Sequence, residues 1–132
     1  MSVKLNITFA ASAPLEGAVA VQLQLAGDQK ASGAQLADPQ HVVVRAAGIA
    51  QFTGKARTVL DVLAPQGSPA DRLAVIGLGK ADKLTAYDWL KAGGVATASL
   101  KGATKAVVFL EVPGLDVTVA QVADFALGML LR

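Results

Sequence analysis

Apolar and polar positions alternate with period two at the start of the chain. Val3, Leu5, Ile7 and Phe9 interleave with Lys4, Asn6 and Thr8, which predicts a strand with one buried face. Pro14 and Gly17 mark a turn. Val19, Val21, Leu23 and Leu25 then alternate with Ala20, Gln22 and Gln24, predicting a second strand whose short connection suits an antiparallel pair with the first. Gly27-Asp28-Gln29-Lys30 with Ser32-Gly33 reads as a polar, mobile surface loop. Asp38-Pro39 reads as a helix start, Asp capping free N–H groups and Pro at the first helical position. Val42, Val43, Ala46, Ala47 and Ala50 continue it as one apolar face, with Gly48 inside.

Thr58 to Leu63 predicts a further strand, followed by a surface connection over Ala64-Pro65-Gln66-Gly67-Ser68-Pro69. Leu73 to Ile76 has no polar alternation, so it reads as a central strand buried on both faces, entering a tight Gly77-Leu78-Gly79 turn. Thr85 and Asp88 have the spacing of a capping box and open a helix through Trp89, Leu90, Val95 and Leu100 to a stop at Gly102. Gly93-Gly94 inside it costs about 1 kcal/mol per glycine relative to alanine, which suits a helix lying close on the sheet. Ala106 to Val112 reads as an apolar strand closed by Pro113-Gly114, and Thr118 with Gln121 opens a last helix through Val122, Phe125, Ala126 and Met129. The order β-β-α-β-β-α-β-α predicts an α/β fold, a three-layer α/β/α arrangement with a mixed central sheet.

The last helix ends Ala126-Leu127-Gly128-Met129-Leu130-Leu131-Arg132, apolar and uncapped. A terminal turn of this kind suits a chain that continues and packs there, so a truncated piece of a longer protein is expected. A natural terminal helix docking on the sheet is the competing reading.

With 132 residues, 53% hydrophobic and 17% charged, one packed domain over 1–132 is expected. Net charge is +2, and Lys4, Lys30, Lys55, Arg57, Lys80, Lys83, Lys91, Lys101 and Lys105 are spread out, so nucleic acid is not expected as a partner. Cysteine is absent, which excludes disulfides and thiolate metal sites. No targeting segment is visible, and no apolar run reaches the roughly 18 residues of a membrane span, so a soluble chain is expected.

Candidate chemistry is sparse. A dinucleotide fingerprint starting at Gly77 and Gly79 fails at Asp82. The phosphate-loop pattern fails at both candidate lysines: Lys80 has Ala74 and Ala81 at the required positions, and Lys55 has Ile49 and Ala56. A structural turn is therefore the expected role of the glycines. His41 is the single histidine, better read as solvated or capping than as a ligand or base. Asp28, Asp38, Asp61, Asp71, Asp82, Asp88, Glu111 and Asp124 are dispersed. Tyr87 and Trp89 read as packing groups.

Three stretches resemble the N-terminal domain of the leucyl (cytosol) aminopeptidase family: Phe52-Thr53-Gly54-Lys55-Ala56, Asp71 to Lys80, and Leu84 to Gly94. Ala123 to Arg132 is similar to the helix that leads into that family's catalytic domain. The resemblance implies a macro-domain-like α/β fold. It also implies a full-length cytoplasmic enzyme with two divalent metals (Zn or Mn), which removes N-terminal residues, leucine preferred, and assembles as a hexamer. The family's metal ligands, catalytic lysine and arginine lie in the C-terminal domain. The expected catalytic, cofactor-binding and metal residues of this chain are therefore none. Its expected partners are its own catalytic domain and further copies, with a role in assembly, access control or regulation. Some bacterial relatives bind DNA, which the dispersed charge does not support. The alternatives are a nucleotide or ADP-ribose-binding macro-like module and a small stand-alone interaction domain.

Overall fold

The computed structural model describes residues 13–27 and 30–131. The strand expected over 3–9 and its pairing lie outside them. The elements are β1 (Val19–Leu25), α1 (Ala34–Ala37), α2 (Val42–Ala50), β2 (Val59–Leu63), β3 (Arg72–Gly79), α3 (Ala86–Ser99), β4 (Ala106–Val108) and α4 (Val119–Leu131), with a single 3-10 turn at Ala81–Lys83. Among the described residues the sheet order is β2-β3-β1-β4. β1 runs parallel to β3 and β4, and β2 antiparallel to β3, so the sheet is mixed as expected.

All eight residues of β3 are buried, and so are all seven of β1. In β3 the alternate residues Ala74, Ile76 and Leu78 join Trp89, Ala92 and Ala96 of α3 and Phe125 and Met129 of α4 in one core. Leu73 and Val75 point the other way, into a second core with Ala37 of α1 and Val43 of α2. The full burial of β1 corrects the one-faced strand expected there. Gln22 and Gln24 are enclosed because β1 lies between β3 and β4, and the Gln22 amide donates to Ser32 O at 2.9 Å.

Ser32 is likewise buried rather than a mobile surface residue. Its Oγ accepts from Leu23 N–H (2.8 Å) and donates to Phe109 O (2.6 Å), joining β1 to the chain leaving β4. The strand expected to reach Val112 stops at Val108. Phe109 N–H still bonds Val21 O, but the Phe109 carbonyl is taken by the Ser32 hydroxyl and the ladder goes no further.

Asp38 caps α2, but from farther back than expected. Its two carboxylate oxygens accept from Val42 N–H (2.8 Å) and Val43 N–H (3.0 Å) across a turn closed by His41 N–H to Asp38 O. Pro39 therefore stands before the helix, not at its first position. Both predicted capping boxes form, at Thr85/Asp88 and at Thr118/Gln121. The Thr85 backbone N–H and hydroxyl hold the Asp88 carboxyl below its ordinary value.

Gly93 faces α4 and not the sheet, which corrects the reason expected for its presence. Trp89, Ala92 and Ala96 seat α3 on the sheet. A Cβ on Gly93 would be driven into the carbonyl oxygen of Phe125, and one on Gly128 into that of Leu90. The two helices thus meet backbone to backbone, and Thr97 Oγ1 donates to Met129 O at 3.0 Å across the same contact. Tyr87, expected to pack, is 59% exposed on the outer side of α3, with Lys91 Nζ 5.0 Å from its ring centre.

One charged cluster ties the sheet to the end of α3. The Arg72 guanidinium is nearly enclosed; it bonds Asp61 at 2.7 Å and Leu100 O at 2.8 Å, while Lys101 bonds the other Asp61 oxygen at 2.8 Å. Partial burial pushes the Asp61 carboxyl up, but the hydrogen bonds and charges of Lys101 and Arg72 together outweigh it and hold the group below its ordinary value.

Two predictions follow from these contacts. Gly128→Ala is expected to destabilise the fold by about 1–2 kcal/mol in urea unfolding, overpacking outweighing the ~1 kcal/mol gain in helix propensity. Because its folded pKa is depressed, Asp61 contributes stability that is present above its unfolded pKa and lost as pH falls through the folded one. The stability gap between wild type and Asp61→Asn should therefore be largest near neutrality and close below about pH 4; a gap that widens on acidification would contradict the assignment.

Candidate functional site

The glycine stretch of β3 is the first place to look for a phosphate cradle, and its donors are already used. The strand continues through Gly77 and ends at Gly79, where φ is +81° and the register against β1 slips by one residue. Gly77 N–H donates to Thr58 O (2.8 Å), Gly79 N–H to Gly54 O (2.9 Å), and Gly79 O accepts from Ala26 N–H (2.8 Å). A Cβ on Gly77 would collide with Lys55 O, and Gly79 has φ +81° with Ala56 Cβ 3.1 Å from where its own Cβ would stand. These glycines admit the segment Gly54–Thr58 against the strand. With both amides spent inside the protein, neither glycine offers an anion a backbone donor.

The remaining titratable residues stay apart. His41 is exposed at the N-cap of α2, with φ 56° and no side-chain capping bond. Asp38 and Asp88 are engaged as caps and Asp61 as the acid of the Arg72 cluster; Asp28 lies outside the described residues. Among the described residues no three His, Cys, Asp or Glu side chains group closely enough to hold a metal ion, and no helix is long and apolar enough to cross a membrane.

Two features stand out instead. The first is the outer face of α4. Phe125, Gly128 and Met129 are buried against α3 and the sheet. On the other side Val119 is 88% exposed, Leu127 48%, Leu130 55% and Leu131 69%, with Ala120 and Ala123 exposed beside them. At 100° per residue these six positions fall on one arc. No charged side chain lies within it. The sequence singled out the apolar end of this helix, but only the fold separates the covered side from the bare one.

The second feature is a cleft of about 380 Å³ between α2 and the carboxyl end of β1, walled by Gln24, Val43, Gly48, Gln51, Phe52 and Thr53 among others. Sequence reasoning missed it, since it is assembled from two separated segments. A wider groove of about 580 Å³ follows β4, lined by Leu110, Val112, Leu115 and Val117 with Glu111 and Asp116.

Comparison with known proteins bears on the first feature. Residues 18–132 match the family described as cytosol aminopeptidase family, N-terminal domain. Proteins named "Probable cytosol aminopeptidase" from Rhizobium johnstonii and Agrobacterium fabrum are 52% and 55% identical to this chain over its whole length. One from Rhizobium meliloti is 52% identical over 98% of it. The chain spans 27%, 27% and 26% of these relatives' own lengths. It belongs to the cytosol aminopeptidase family and corresponds to that family's N-terminal domain.

Proposed function

We propose that this chain is the non-catalytic N-terminal domain of a cytoplasmic, two-metal aminopeptidase that removes N-terminal residues, leucine preferred, from peptides. Its work is assembly and control of access to a catalytic domain that supplies all the metal ligands, for Zn or Mn, and all the reacting groups. No residue of this chain is catalytic or metal-binding in this reading.

The observation that carries it is the bare apolar arc of α4. A broad apolar face on a helix belongs against a partner, and here only one side of α4 has one. The family assignment supplies the occupant for the other side: the chain corresponds to an N-terminal domain and spans about a quarter of its relatives, so most of the polypeptide lies C-terminal to this helix in those proteins. The catalytic domain is the partner that α4 docks on, and further copies complete a hexamer. The competing reading, a nucleotide module built on the glycine stretch, loses its support once the amides of Gly77 and Gly79 are bonded within the fold.

Leucine amide hydrolysis tests this with Mn²⁺ or Zn²⁺ added. The chain alone should show no turnover above background, while a polypeptide extended to the relatives' full length should turn over; metal-dependent activity of the chain alone would overturn the reading. Replacing Leu127 and Leu130 together by Glu should leave the melting temperature of the isolated chain nearly unchanged, because both are on the bare side. In the extended protein the same change buries unpaired charge, at a cost of several kcal/mol, and light scattering should report loss of the assembled state.

A further inference from the structure

β4 stands at an edge of the sheet, with β1 as its one neighbour among the described strands. Val19 N–H bonds Lys105 O (3.1 Å) and Phe109 N–H bonds Val21 O (2.9 Å). Successive residues of a strand bond to opposite sides, so the backbone groups of Ala106, Val108 and Leu110 face outward. Among the described residues no turn, loop or cap bonds to them. Every residue of β1 and β3 is buried, whereas residues 106–110, all apolar, are only half-buried.

The groove of about 580 Å³ continues from this edge to Val122 of α4. Val122, Ala126 and Val119 are neighbours around the helix at 100° per residue, so groove and bare arc form one apolar surface. Glu111 and Asp116 are the charged residues of the groove; both are exposed, and neither joins an ion pair among the described residues. Topology says which segment can reach the edge. The chain passes from β3 to the parallel β4 through α3, crossing β1 on the α3 face. Crossovers between parallel strands are right-handed. α4 lies on the same face, with Phe125 and Met129 in the same core. A parallel strand that follows α4 therefore keeps that hand only on the open side of β4.

We propose that in the polypeptide extended to the relatives' full length the first extended segment after α4 adds to β4 as a further parallel strand. Its apolar side chains fill the groove, and a lysine or arginine within it meets Glu111 and Asp116. This rests on the reading that a catalytic domain follows α4, and adds where the connection to that domain is held. Strand addition at an open edge draws affinity from main-chain hydrogen bonds and selectivity from the side-chain pockets beside it. Connections of 2–6 residues and strands of five or six are usual, which puts the segment within about fifteen residues of the end of α4. A connection tied into the sheet limits how far the docked domain can turn against α4.

Amide hydrogen exchange, read by mass spectrometry on the extended polypeptide and on this chain alone, tests the proposal. Peptides covering 106–110 should exchange at least about tenfold more slowly in the extended polypeptide. A photoreactive side chain in place of Glu111 should crosslink there to the stretch within about fifteen residues after α4. Glu111→Gln with Asp116→Asn should lower the protection about threefold, as loss of an exposed ion pair implies, and leave the Tm of the isolated chain nearly unchanged. Slower exchange in α4 without any change over 106–110 would overturn the proposal and leave the docking reading standing. No change in either region would overturn both. Crosslinks to residues 1–12 or to a second copy would give the edge another occupant and overturn the proposal as well.

Discussion

Burial of β1 and β3 on both faces is the constraint from which the rest of the architecture follows. A strand without a solvent side needs a cover above and below, and this chain supplies the covers in sequence: α1 and α2 after β1, α3 and α4 around β4. Such a sheet interior admits a polar side chain only with a partner. The Ser32 hydroxyl and the Gln22 side-chain N–H meet that demand by bonding the backbone of neighbouring segments. Arg72 meets it at the opposite end by binding Asp61 and the last carbonyl of α3. Polar groups therefore fasten the layers at their margins while aliphatic residues fill the centre.

The glycines divide by what stands against them, and the division explains which parts of the sequence were readable. Gly77, Gly93 and Gly128 each leave room for another stretch of backbone. In sequence the same letter also marks a turn, and for Gly77 and Gly79 the turn was the natural reading. What separates the two is the approach of Gly54–Thr58, a contact between segments some twenty residues apart that no local pattern carries. The Gly93 contact with α4 is hidden for the same reason.

Features determined within a few residues were legible. Both capping boxes, the apolar run of β3 and the core of α2 stand where spacing puts them, because their causes are local hydrogen bonds and continuous hydrophobicity. Gln22 and Gln24 misled because alternation reports only that one face is more polar, whereas burial depends on which strands lie alongside. The four-residue α1 carries no periodic signal at all. Tyr87 shows the converse error: aromatic character suggested the core, but its neighbour Trp89 had already taken the inward position on α3. The absence of a metal-ligand pattern was read from composition, while the α2 cleft, built from Gln24, Gly48 and Phe52, could be seen only in three dimensions.

The division of labour proposed for the intact protein fits this pattern of stability. The fold spends polar interactions on joining its own layers, with Asp38 and Asp88 committed to caps and Asp61 to the Arg72 cluster. What remains unspent is apolar surface on α4, the helix already locked to α3 through two glycines. That locking matters for docking. A helix held backbone to backbone against its neighbour has little freedom to tilt, so it offers a fixed face, and a preorganised face gives up less entropy when a partner seats on it. Exposed leucines on a loose helix would be an aggregation hazard; on a clamped one they make a rigid platform for the docking proposed above.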